Sequence, residues 1–577
     1  MNDERLTNLR HSCAHLMAAA VMELWPHARR TIGPSIENGF YFDFDFGDSK
    51  ITDGDLPHIE AKMHEILPGW KNFERHELDT DAAKKKYPGN VYKYELIDEF
   101  AAEGQKLTFY KSGQYWDLCR GGHVEHPDRE LKHFKLLSLA GAYWRGNEKN
   151  KMLTRIYGTV FPTKKELEDH LNMLEEAKKR DHRKIGPALE LFMFHQTSPG
   201  MPYWLPNGLI IYNELVKFWR EDHVKRGYKE IASPLINKKE LYVTSGHFEH
   251  YWENMFISKT ADEGEYGIKA MNCPNAHVVF GSKTRSYRDL PLRLSDTDTL
   301  HRYELSGTLN GLLRVREFRQ DDAHIYVTED QIVSEYLEVF EIIKRFYSIF
   351  NIPYSFRLGT RNPDNFMGEI STWDKAEASL KEILEKSGVE YFVLEGDGAF
   401  YGPKVDILMK DVLGREWQMG TVQLDFQQPL RFKLEYIDKD GQGKTPICIH
   451  RVVYGSLERF IGILIEHFAG VFPVWLSPVQ VVVLPISDKH SGYAKKVQEQ
   501  LMGKGIRSEL DSRNEPLNAR IRDAQLQKIP YMLVVGDNEI KNSTVSERGR
   551  SGKNYGEIKT NKFIADIKEE IASRSLS

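Results

Sequence analysis

The chain has 577 residues, of which 41% are hydrophobic and 28% are charged, and its formal net charge is −5. At about 100–200 residues per domain, this length predicts roughly three or four domains of an ordinary globular protein. The negative charge excludes an overall positive field, so any contact with nucleic acid must come from local basic faces.

The chain carries no evident targeting or membrane signal. No apolar run approaches the roughly 18–20 residues of a membrane span. The opening residues 1–5 lack the basic-then-apolar pattern of a signal peptide. The four cysteines, Cys13, Cys119, Cys273 and Cys448, are too few and too scattered for a disulfide framework. The cytoplasm is therefore the predicted location.

Two histidines near the start of the chain lie one helical turn apart. His11 and His15 fall in a run rich in helix formers, and this spacing places them on one face. Far downstream, the segment DLCRGGH adds Asp117, Cys119 and His123. A histidine pair alone is most often packing or solvated surface, but His and Cys are the preferred zinc ligands, so together they form a plausible cluster. A zinc protease is disfavoured, because Ser12 stands where its motif requires glutamate.

Helical patterns dominate the stretch that follows. Residues 163–186 have leucines at helical spacing and are predicted as a connecting helix with a basic, mostly solvated end. A long amphipathic helix, 210–226, then precedes an extended segment, 227–236.

The most informative stretch is 300–326, LHRYELSGTLNGLLRVREFRQDDAHIY. Two polar, partly alternating segments flank a turn-rich centre, 306–311, which predicts two strands joined by a loop. The charged side chains of such a hairpin can simply be exposed to solvent without a function. However, arginines at both ends of one hairpin can converge on a phosphate, and a planar guanidinium suits bidentate phosphate contacts.

Three later segments have clear local patterns. Turn residues 396–404 lead into an apolar strand, 405–409. Another strand is predicted to end at Gly455, where Ser456 can cap a helix whose apolar stripe is core. From residue 479 to 535, helix and strand patterns alternate, which predicts a parallel sheet with crossover helices.

The sequence HRYELSG…LLRVREFRQDDAHI resembles motif 2 of the class II aminoacyl-tRNA synthetases, in the version of the threonyl-tRNA synthetase family. The likeness continues along essentially the whole chain, with Pro234 in a match to motif 1 and 449–466 in a match to motif 3. It implies a class II catalytic core built on an antiparallel sheet, an N-terminal α+β editing domain and a C-terminal α/β anticodon-binding domain. The expected boundaries are 1–162 for the editing domain, 163–185 for a linker helix, 186–475 for the catalytic domain and 476–577 for the anticodon-binding domain.

The resemblance also implies the roles of residues in the catalytic domain. The expected ATP-binding residues are Arg302, Glu304, Arg314, Phe318, Gln418, Ser456 and Arg459. Phe318 is expected to stack on adenine, and Mg²⁺ to accompany the nucleotide. The expected threonine-binding residues are Gln320, Asp322, Tyr401 and Gln423. Catalytic roles are expected for Arg302 at the α-phosphate, Arg459 at the γ-phosphate, Lys404 near the adenylate phosphate and His247 as a proton relay.

A catalytic zinc is a further implication of the resemblance. In the family this ion is bound by residues that match Cys273, His324 and His450, which lie too far apart for spacing alone to reveal the site. One Cys and two His with an open fourth position suit a zinc that binds a substrate. An apolar pocket separates threonine from valine by only about 1–3 kcal/mol, whereas a metal that takes the amino group and the hydroxyl rejects valine. Serine keeps that hydroxyl, so the zinc predicts a separate hydrolytic site.

The hydrolytic site is expected in the N-terminal domain. The editing motifs of the family match His11, His15, Cys119 and His123, with Asp117 and Lys93 beside them. Their expected activity is hydrolysis of mischarged seryl-tRNA by a positioned water, with histidines that handle protons. The sequence leaves open whether a metal takes part.

The remaining expectations concern partners. Asn514, Glu539 and Arg548 match positions that contact anticodon bases, whose exposed edges polar side chains can read. Motif 1 implies a two-fold homodimer. The expected substrates are ATP, L-threonine and tRNA(Thr).

The chain departs from the family pattern at three places. Gly122 replaces a proline of the editing loop, and Asn275-Ala276-His277 replaces the Gly-His that usually follows the zinc cysteine and its proline. The sequence also begins almost directly at the editing helix, so the small ubiquitin-like domain common in the family is expected to be absent. No expected editing or charging residue lies in that domain.

Two alternative functions account for fewer of these residues. A class II synthetase for serine or proline leaves the Cys273, His324 and His450 set and the editing motifs unexplained. An RNA-binding regulator descended from a synthetase is expected to lose Arg302, Arg459 or a zinc ligand, and the sequence retains all of them.

Overall fold

The computed structural model describes residues 3–261, 264–411 and 414–576. It divides into two compact units, Met1–Glu175 and Glu176–Ser577. The division falls inside the expected linker, which consists of two helices, Lys164–Arg180 and His182–Ala188. Within the described ranges, the search for membrane-spanning helices finds none of sufficient length and apolarity.

In the first unit, a helix that carries the two N-terminal histidines packs on a sheet. The helices are α1 (Asp3–Leu24), α2 (Leu56–Ile66), α3 (Thr80–Lys85), α4 (Val91–Ala102), α5 (Pro127–Glu130) and α6 (Lys164–Arg180), of which the last crosses the division. An antiparallel sheet has the order Arg29–Arg30, Gly39–Asp45, Met152–Phe161 and His133–Tyr143, with Ser35–Ile36 paired to Gly39–Asp45. A smaller antiparallel sheet consists of Glu74–Glu77, Thr108–Ser112 and Tyr115–Leu118.

The local sequence explains why α1 forms and where it lies. Its run Cys13-Ala14-His15-Leu16-Met17-Ala18-Ala19-Ala20-Val21 is buried and shares a core with the aromatic side chains of Gly39–Asp45. Alanine and leucine are strong helix formers, and small side chains allow the helix to approach the sheet closely. The packing fixes the direction in which His11 and His15 point.

The second unit is built on a large sheet, covered by helices. Its helices are α7 (His182–Ala188), α8 (Pro206–Lys225), α9 (Lys239–Ser245), α10 (His247–His250), α11 (Cys273–Gly281), α12 (Ile332–Ser348), α13 (Ile370–Ser387), α14 (Gln428–Arg431), α15 (Leu457–Phe468), α16 (Ser491–Met502), α17 (Leu517–Leu526), α18 (Asp537–Asn542) and α19 (Thr560–Ser573). Apolar side chains of α8, α12, α13 and α15 share one core with this sheet.

The large sheet is antiparallel apart from the outermost pair at each edge. Its strands, in spatial order, are Lys229–Glu230, Leu292–Asp296, Asp322–Val327, Ile447–Val452, Glu416–Asp425, Lys404–Lys410, Tyr354–Gly359 and Tyr391–Leu394. The register places His324 opposite His450, His450 opposite Gln423, and Gln423 opposite Lys404. Directly opposed residues share a face of a sheet. One row across the sheet therefore carries two expected zinc ligands, an expected threonine contact and the expected catalytic lysine.

The hairpin predicted for 300–326 forms only in part. Thr299–His301 pairs with Glu317–Arg319, as predicted, and the centre forms short 3₁₀ turns at Ser306–Thr308 and Gly311–Leu313. Asp322–Val327 belongs instead to the large sheet, where all six residues are buried. A strand with both faces covered belongs in the middle of a sheet rather than in an exposed hairpin.

Smaller sheets surround the catalytic core. The paired strands are Phe192–Met193 with Tyr203–Trp204; Ile236–Lys238 and Ile257–Lys259 with Glu265–Ile268; and Arg285–Ser286 and Gly443–Lys444 with Tyr436–Ile437.

The C-terminal sheet has a parallel part and an antiparallel part. Its order is Ser508–Leu510, Val481–Pro485, Tyr531–Val535, Thr544–Gly549 and Asn554–Lys559. The first three strands are parallel, as predicted for residues 479–535, and the last two, which lie beyond that range, run antiparallel. The segments that connect Tyr531–Val535 to Thr544–Gly549 and Thr544–Gly549 to Asn554–Lys559 are too short for a parallel crossover, which needs a dozen or more residues.

Candidate functional sites

The structure brings Cys273, His324 and His450 together. One ligand atom from each lies within 4.8 Å of the others, and all three residues are buried. Cys273 is the first residue of α11, while the two histidines come from adjacent strands of the large sheet, with ring centroids 4.9 Å apart. The trio therefore depends on sheet register and one helix terminus rather than on sequence proximity.

Hydrogen bonds leave nitrogen lone pairs available in this trio. His450 Nε2 lies 2.8 Å from Asp425 Oδ2. A carboxylate only accepts, so Nε2 carries the proton and Nδ1 keeps a free lone pair. Among the described residues, the buried Nδ1 of His324 has no hydrogen-bond partner. A carboxylate that orients a histidine in this way is the usual outer support of a metal ligand. The donor set therefore fits a zinc ion.

Burial favours the neutral forms of His324 and Cys273. It lowers the pKa of His324 and raises the pKa of the Cys273 thiol well above its usual range. Neutral imidazoles are the form that binds metals, whereas the buried thiolate needs a cation nearby to offset its desolvation.

The expected threonine contacts surround the trio. Gln320, Asp322, Tyr401 and Gln423 line a cavity of about 280 Å³ together with the three ligands and His247. Asn272 Nδ2 donates to Asp322 Oδ2 at 3.1 Å, and the Tyr401 hydroxyl donates to Gln423 Oε1. Asn272 was not predicted, although it directly precedes the expected zinc cysteine.

His247 lies at the start of α10 and is almost fully buried. Burial lowers its pKa to about 3, so its ring is neutral at physiological pH. Its Nδ1 lies 2.8 Å from the Ser245 hydroxyl, and its Nε2 lies 3.9 Å from Cys273 Sγ. A neutral imidazole has one N–H and one nitrogen lone pair, the two groups that a proton relay uses.

A second cavity, of about 290 Å³, holds every expected ATP-binding residue. Its lining includes Arg302, Glu304, Arg314, Phe318, Gln418, Ser456 and Arg459. The Arg302 guanidinium lies 5.0 Å from the centre of the Phe318 ring, and Arg314 Nε lies 2.9 Å from Glu304 Oε2. Arg302, Gln320, Thr421, Gln423 and Val452 line both cavities. The two cavities therefore meet along this shared wall.

Arg459, in motif 3, lines the second cavity from the first turn of α15. Ser456 Oγ accepts from the Arg459 amide at 3.2 Å, which confirms the predicted cap of α15. Arg459 Nε donates to the Leu313 carbonyl at 2.9 Å, and Nη1 donates to the Gln418 carbonyl at 3.0 Å. Arg459 thus lies at a helix N-terminus, where the backbone also favours an anion.

Lys404 lies outside the lining of both cavities. Its Nζ is 3.0 Å from Asp397 Oδ2 and 3.0 Å from Asp406 Oδ2. Arg357, which was not predicted, donates to the same Asp406 carboxylate at 2.7 Å and to Gln418 Oε1 at 2.8 Å. Only the three-dimensional pairing of three strands reveals Arg357 as a support for Gln418.

The altered segment after Cys273 remains helical. Asn275, Ala276 and His277 are buried in the first turns of α11, and His277 lies one turn after Cys273. His277 Nδ1 lies 2.9 Å from the Tyr326 hydroxyl. The altered residues therefore leave Cys273 in place, with His277 as a buried neighbour of the trio.

The expected editing residues also come together, in the first unit. One ligand atom from each of His11, His15, Cys119 and His123 lies within 4.8 Å of the others. Cys119 Sγ is 3.5 Å from His11 Nε2 and 3.3 Å from His123 Nε2. Burial raises the pKa of Cys119 to about 12 and lowers that of His123 to about 3. The cluster is therefore uncharged at neutral pH.

Lys93 and Asp117 form a buried ion pair beside this cluster, with 2.7 Å between Nζ and Oδ1. Burial opposes the charge on Asp117, but Lys93 and Arg30 together hold its pKa well below the usual range. Tyr87 and Tyr115 donate to its two oxygens at 2.7 and 2.9 Å. Arg30 and the two tyrosines were not predicted, because no local pattern links them to Asp117.

The backbone conformation at position 122 explains why this chain has glycine there. Its φ is +80°, next to Gly121 at +103°, and its carbonyl lies 3.2 Å from His11 Nδ1. Proline is fixed near −65° and cannot adopt this backbone. The loop therefore has a turn of its own that holds His11, rather than a loosened form of the proline turn.

The expected anticodon contacts lie on separate segments of the C-terminal sheet domain. Asn514 is exposed in the loop before α17, Glu539 is in the first turn of α18, and Arg548 is on Thr544–Gly549. Glu539 Oε2 accepts from the Gly536 amide at 2.8 Å, so this side chain also caps its helix.

Comparison with known proteins identifies the same three parts. Family models described as "Threonyl and Alanyl tRNA synthetase second additional domain", "tRNA synthetase class II core domain (G, H, P, S and T)" and "Anticodon binding domain" match residues 107–157, 254–468 and 480–570. The threonine–tRNA ligase of Thermotoga neapolitana is 52% identical over 570 residues, which cover 98% of this chain and 88% of that protein. The enzyme of the same name from Caldanaerobacter subterraneus is 51% identical over 568 residues, or 98% and 87% of the two chains.

A solved structure agrees. The crystal structure of the RNA binding domain of threonyl-tRNA synthetase from Cryptosporidium parvum is 41% identical, with a TM-score of 0.66, and covers 69% of this chain and 99% of that one. A catalytic core, an anticodon-binding domain and an editing domain of the kinds expected from the sequence are thus present. The chain belongs to the threonyl-tRNA synthetase family.

Proposed function

We propose that the chain is a threonine–tRNA ligase that forms threonyl-adenylate from L-threonine and ATP, transfers threonine to tRNA(Thr), and hydrolyses mischarged seryl-tRNA in its N-terminal unit. The observation that carries the proposal is the position of Cys273, His324 and His450. They line a cavity that shares a wall with the cavity of the expected ATP residues. An amino acid and a nucleotide in these cavities would meet at Arg302.

Amino-acid selection follows from the polar lining of the first cavity. Zinc held by the trio would supply a Lewis acid for the amino and hydroxyl groups of threonine. Asp322 and Gln423 offer hydrogen-bond partners beside it, and Tyr401 orients Gln423. A site built for polar groups rejects valine strongly, because valine leaves those groups unpaired. Serine satisfies them, so selection against serine needs the second site.

Adenylate formation requires charge stabilisation rather than a protein nucleophile. The threonine carboxylate attacks the α-phosphorus in line, and pyrophosphate leaves from the opposite side. Arg302 would stabilise the α-phosphate, and Arg459 the γ-phosphate, while Phe318 stacks on adenine and Mg²⁺ accompanies the nucleotide. Lys404 would act near the phosphate after leaving Asp397. The neutral His247 would accept the proton of the tRNA hydroxyl that attacks the adenylate.

Editing would use the uncharged cluster in the first unit. His11 and His123 contact Cys119, and one of them would orient the water that attacks the seryl ester. The Lys93 and Asp117 pair supplies fixed charge beside that position. Asn514, Glu539 and Arg548 would contact anticodon bases.

The experiment is threonine-dependent exchange of pyrophosphate into ATP, before and after zinc removal with a chelator. We expect exchange with threonine, weak exchange with serine and no exchange with valine. Chelation should abolish exchange, and added zinc should restore it. A parallel charging assay with tRNA(Thr) tests transfer, and Arg548→Ala should raise its KM for tRNA without a change in exchange. Preference for serine or proline over threonine, or full activity without zinc, would contradict the proposal.

A further inference from the structure

His182 connects α7 to two segments, the motif 2 turn and α15, each of which carries residues that line the second cavity. It lies near the start of α7 with 1% of its side chain exposed, and each ring nitrogen has a partner. Nε2 lies 3.0 Å from the backbone nitrogen of Leu312, and Nδ1 lies 2.7 Å from Glu466 Oε1. Leu312 belongs to the turn within motif 2, whereas Glu466 belongs to α15.

The two partners fix the tautomer. A backbone N–H only donates, so Nε2 must carry a lone pair, and a carboxylate only accepts, so Nδ1 must carry the proton. Glu466 is held in turn by Arg415 at its other oxygen. Within the described residues, His182 therefore satisfies both hydrogen bonds in a single neutral form.

The turn at Leu312 bears directly on the expected phosphate contacts. Arg314 follows it by two residues, and the Leu313 carbonyl accepts from Arg459 Nε at 2.9 Å. Gly311 has a φ of +49°, and a Cβ there would overlap His182 Nε2. The ring therefore packs against the turn and accepts a hydrogen bond from its Leu312 amide. A shift of the ring would move the backbone before Arg314 and the Leu313 carbonyl that binds Arg459.

We propose that His182 is a positioning residue for ATP, which holds the turn Gly311–Leu313 through the Leu312 amide and so places Arg314 and the carbonyl that supports Arg459. This inference rests on the proposed function, since it assumes that the second cavity binds ATP. Glu466 has a supporting role, because it selects the tautomer that can accept. Truncation of the ring would leave the buried Leu312 amide without its acceptor, and such an unpaired group is costly.

Two substitutions in the full-length chain separate the hydrogen bonds of His182. In His182→Gln, the terminal carbonyl reaches the region of Nε2 and can still accept from Leu312. In His182→Asn, the shorter amide reaches only the region of Nδ1 and keeps the contact with Glu466. His467→Asn, near the end of α15 where the ring packs on Phe468, is the matched control.

We expect His182→Asn to raise the KM for ATP about three- to tenfold, the effect of one lost hydrogen bond, while the KM for threonine stays unchanged. His182→Gln and His467→Asn should stay near wild type. Hydrogen–deuterium exchange of backbone amides, measured without nucleotide, gives an independent readout. Peptides that contain Leu312 should take up deuterium faster in His182→Asn only.

The outcomes separate this inference from the proposed function. A wild-type chain without threonine-dependent exchange would contradict the proposed function, whatever the variants do. If the wild type is active but His182→Asn and His182→Gln behave alike in both readouts, the role of His182 would be overturned. A higher KM for ATP in His182→Gln than in His182→Asn would also overturn it.

Discussion

A single carboxylate decides which nitrogen of His450 is open to a metal ion. Asp425 Oδ1 accepts from the backbone amides of Gln427 and Gln428, at 2.7 and 3.0 Å, so the orientation of the carboxylate is fixed. Its Oδ2 accepts from His450 Nε2. The nitrogen of His450 that keeps a lone pair for a metal ion is therefore Nδ1, by the donor and acceptor rules alone.

Asp425→Asn should reverse this arrangement. The two backbone amides require the new carbonyl oxygen at the Oδ1 position, so the amide NH₂ faces His450. Because that group donates, Nε2 must accept and the ring proton moves to Nδ1. We expect zinc affinity to fall roughly 10- to 100-fold, as for other lost supports of metal ligands. Competition with a fluorescent chelator measures this, with Asp438→Asn, a partly buried partner of Lys444, as the control. Equal zinc retention in the two variants would contradict the assignment of Nδ1.

Individual residues differ in how far the sequence predicts them. His11 and His15 follow from helical spacing, and Ser456 follows from its place before an apolar stripe. The trio around His450 was expected only through resemblance, because three distant segments supply it. Asp425 and Arg30 were missed, since each acts through a partner that only the fold brings near.

At the scale of elements, local pattern predicted type better than pairing. The strand Tyr531–Val535 and α15 lie where the sequence placed them. Asp322–Val327, which was predicted to belong to the hairpin, instead pairs within the large sheet. The C-terminal sheet also contains two antiparallel strands beyond the range for which the sequence predicted parallel pairing. The periodicity of a sequence indicates which faces of a helix or strand are apolar. The partner of a strand depends also on whether both of its faces are buried and on the length of its connections.

The motif 1 edge of the large sheet is the element expected to join two chains. Lys229–Glu230 is an edge strand, and the apolar side chains of Leu235 and Ile236, just beyond Pro234, are 39% and 55% exposed. Adjacent exposed apolar groups beside an open edge suit an isologous contact with a second copy.

A double substitution tests that contact. Leu235→Glu with Ile236→Glu places charges in the proposed interface, so sedimentation velocity should detect a shift from dimer to monomer. Val393→Glu with Leu394→Glu is the matched control, because these residues are similarly exposed at the opposite edge of the same sheet. A monomeric wild type, or equal effects of the two pairs, would refute the motif 1 interface.

At the scale of the whole molecule, the two proposed chemistries lie in different compact units. The cluster of His11, His15, Cys119 and His123 lies within Met1–Glu175. The trio of Cys273, His324 and His450 and the second cavity lie within Glu176–Ser577. Substitutions that share no partners usually have additive, independent effects. Editing and activation should therefore be separable by single changes.

His11→Ala provides the test. It removes a side chain that contacts Cys119 and the Gly122 carbonyl, so hydrolysis of seryl-tRNA(Thr) should fall about 10²- to 10⁴-fold, the usual share of a general acid or base. Threonine-dependent pyrophosphate exchange should stay at the wild-type rate, because no part of the second unit is altered. His27→Ala, an exposed histidine of the same unit that contacts Ser49, is the control and should leave both rates unchanged. Seryl-tRNA(Thr) should then accumulate in charging reactions with serine only for His11→Ala. If His11→Ala lowered exchange as much as hydrolysis, or left hydrolysis intact, the division of the two chemistries between the units would be wrong.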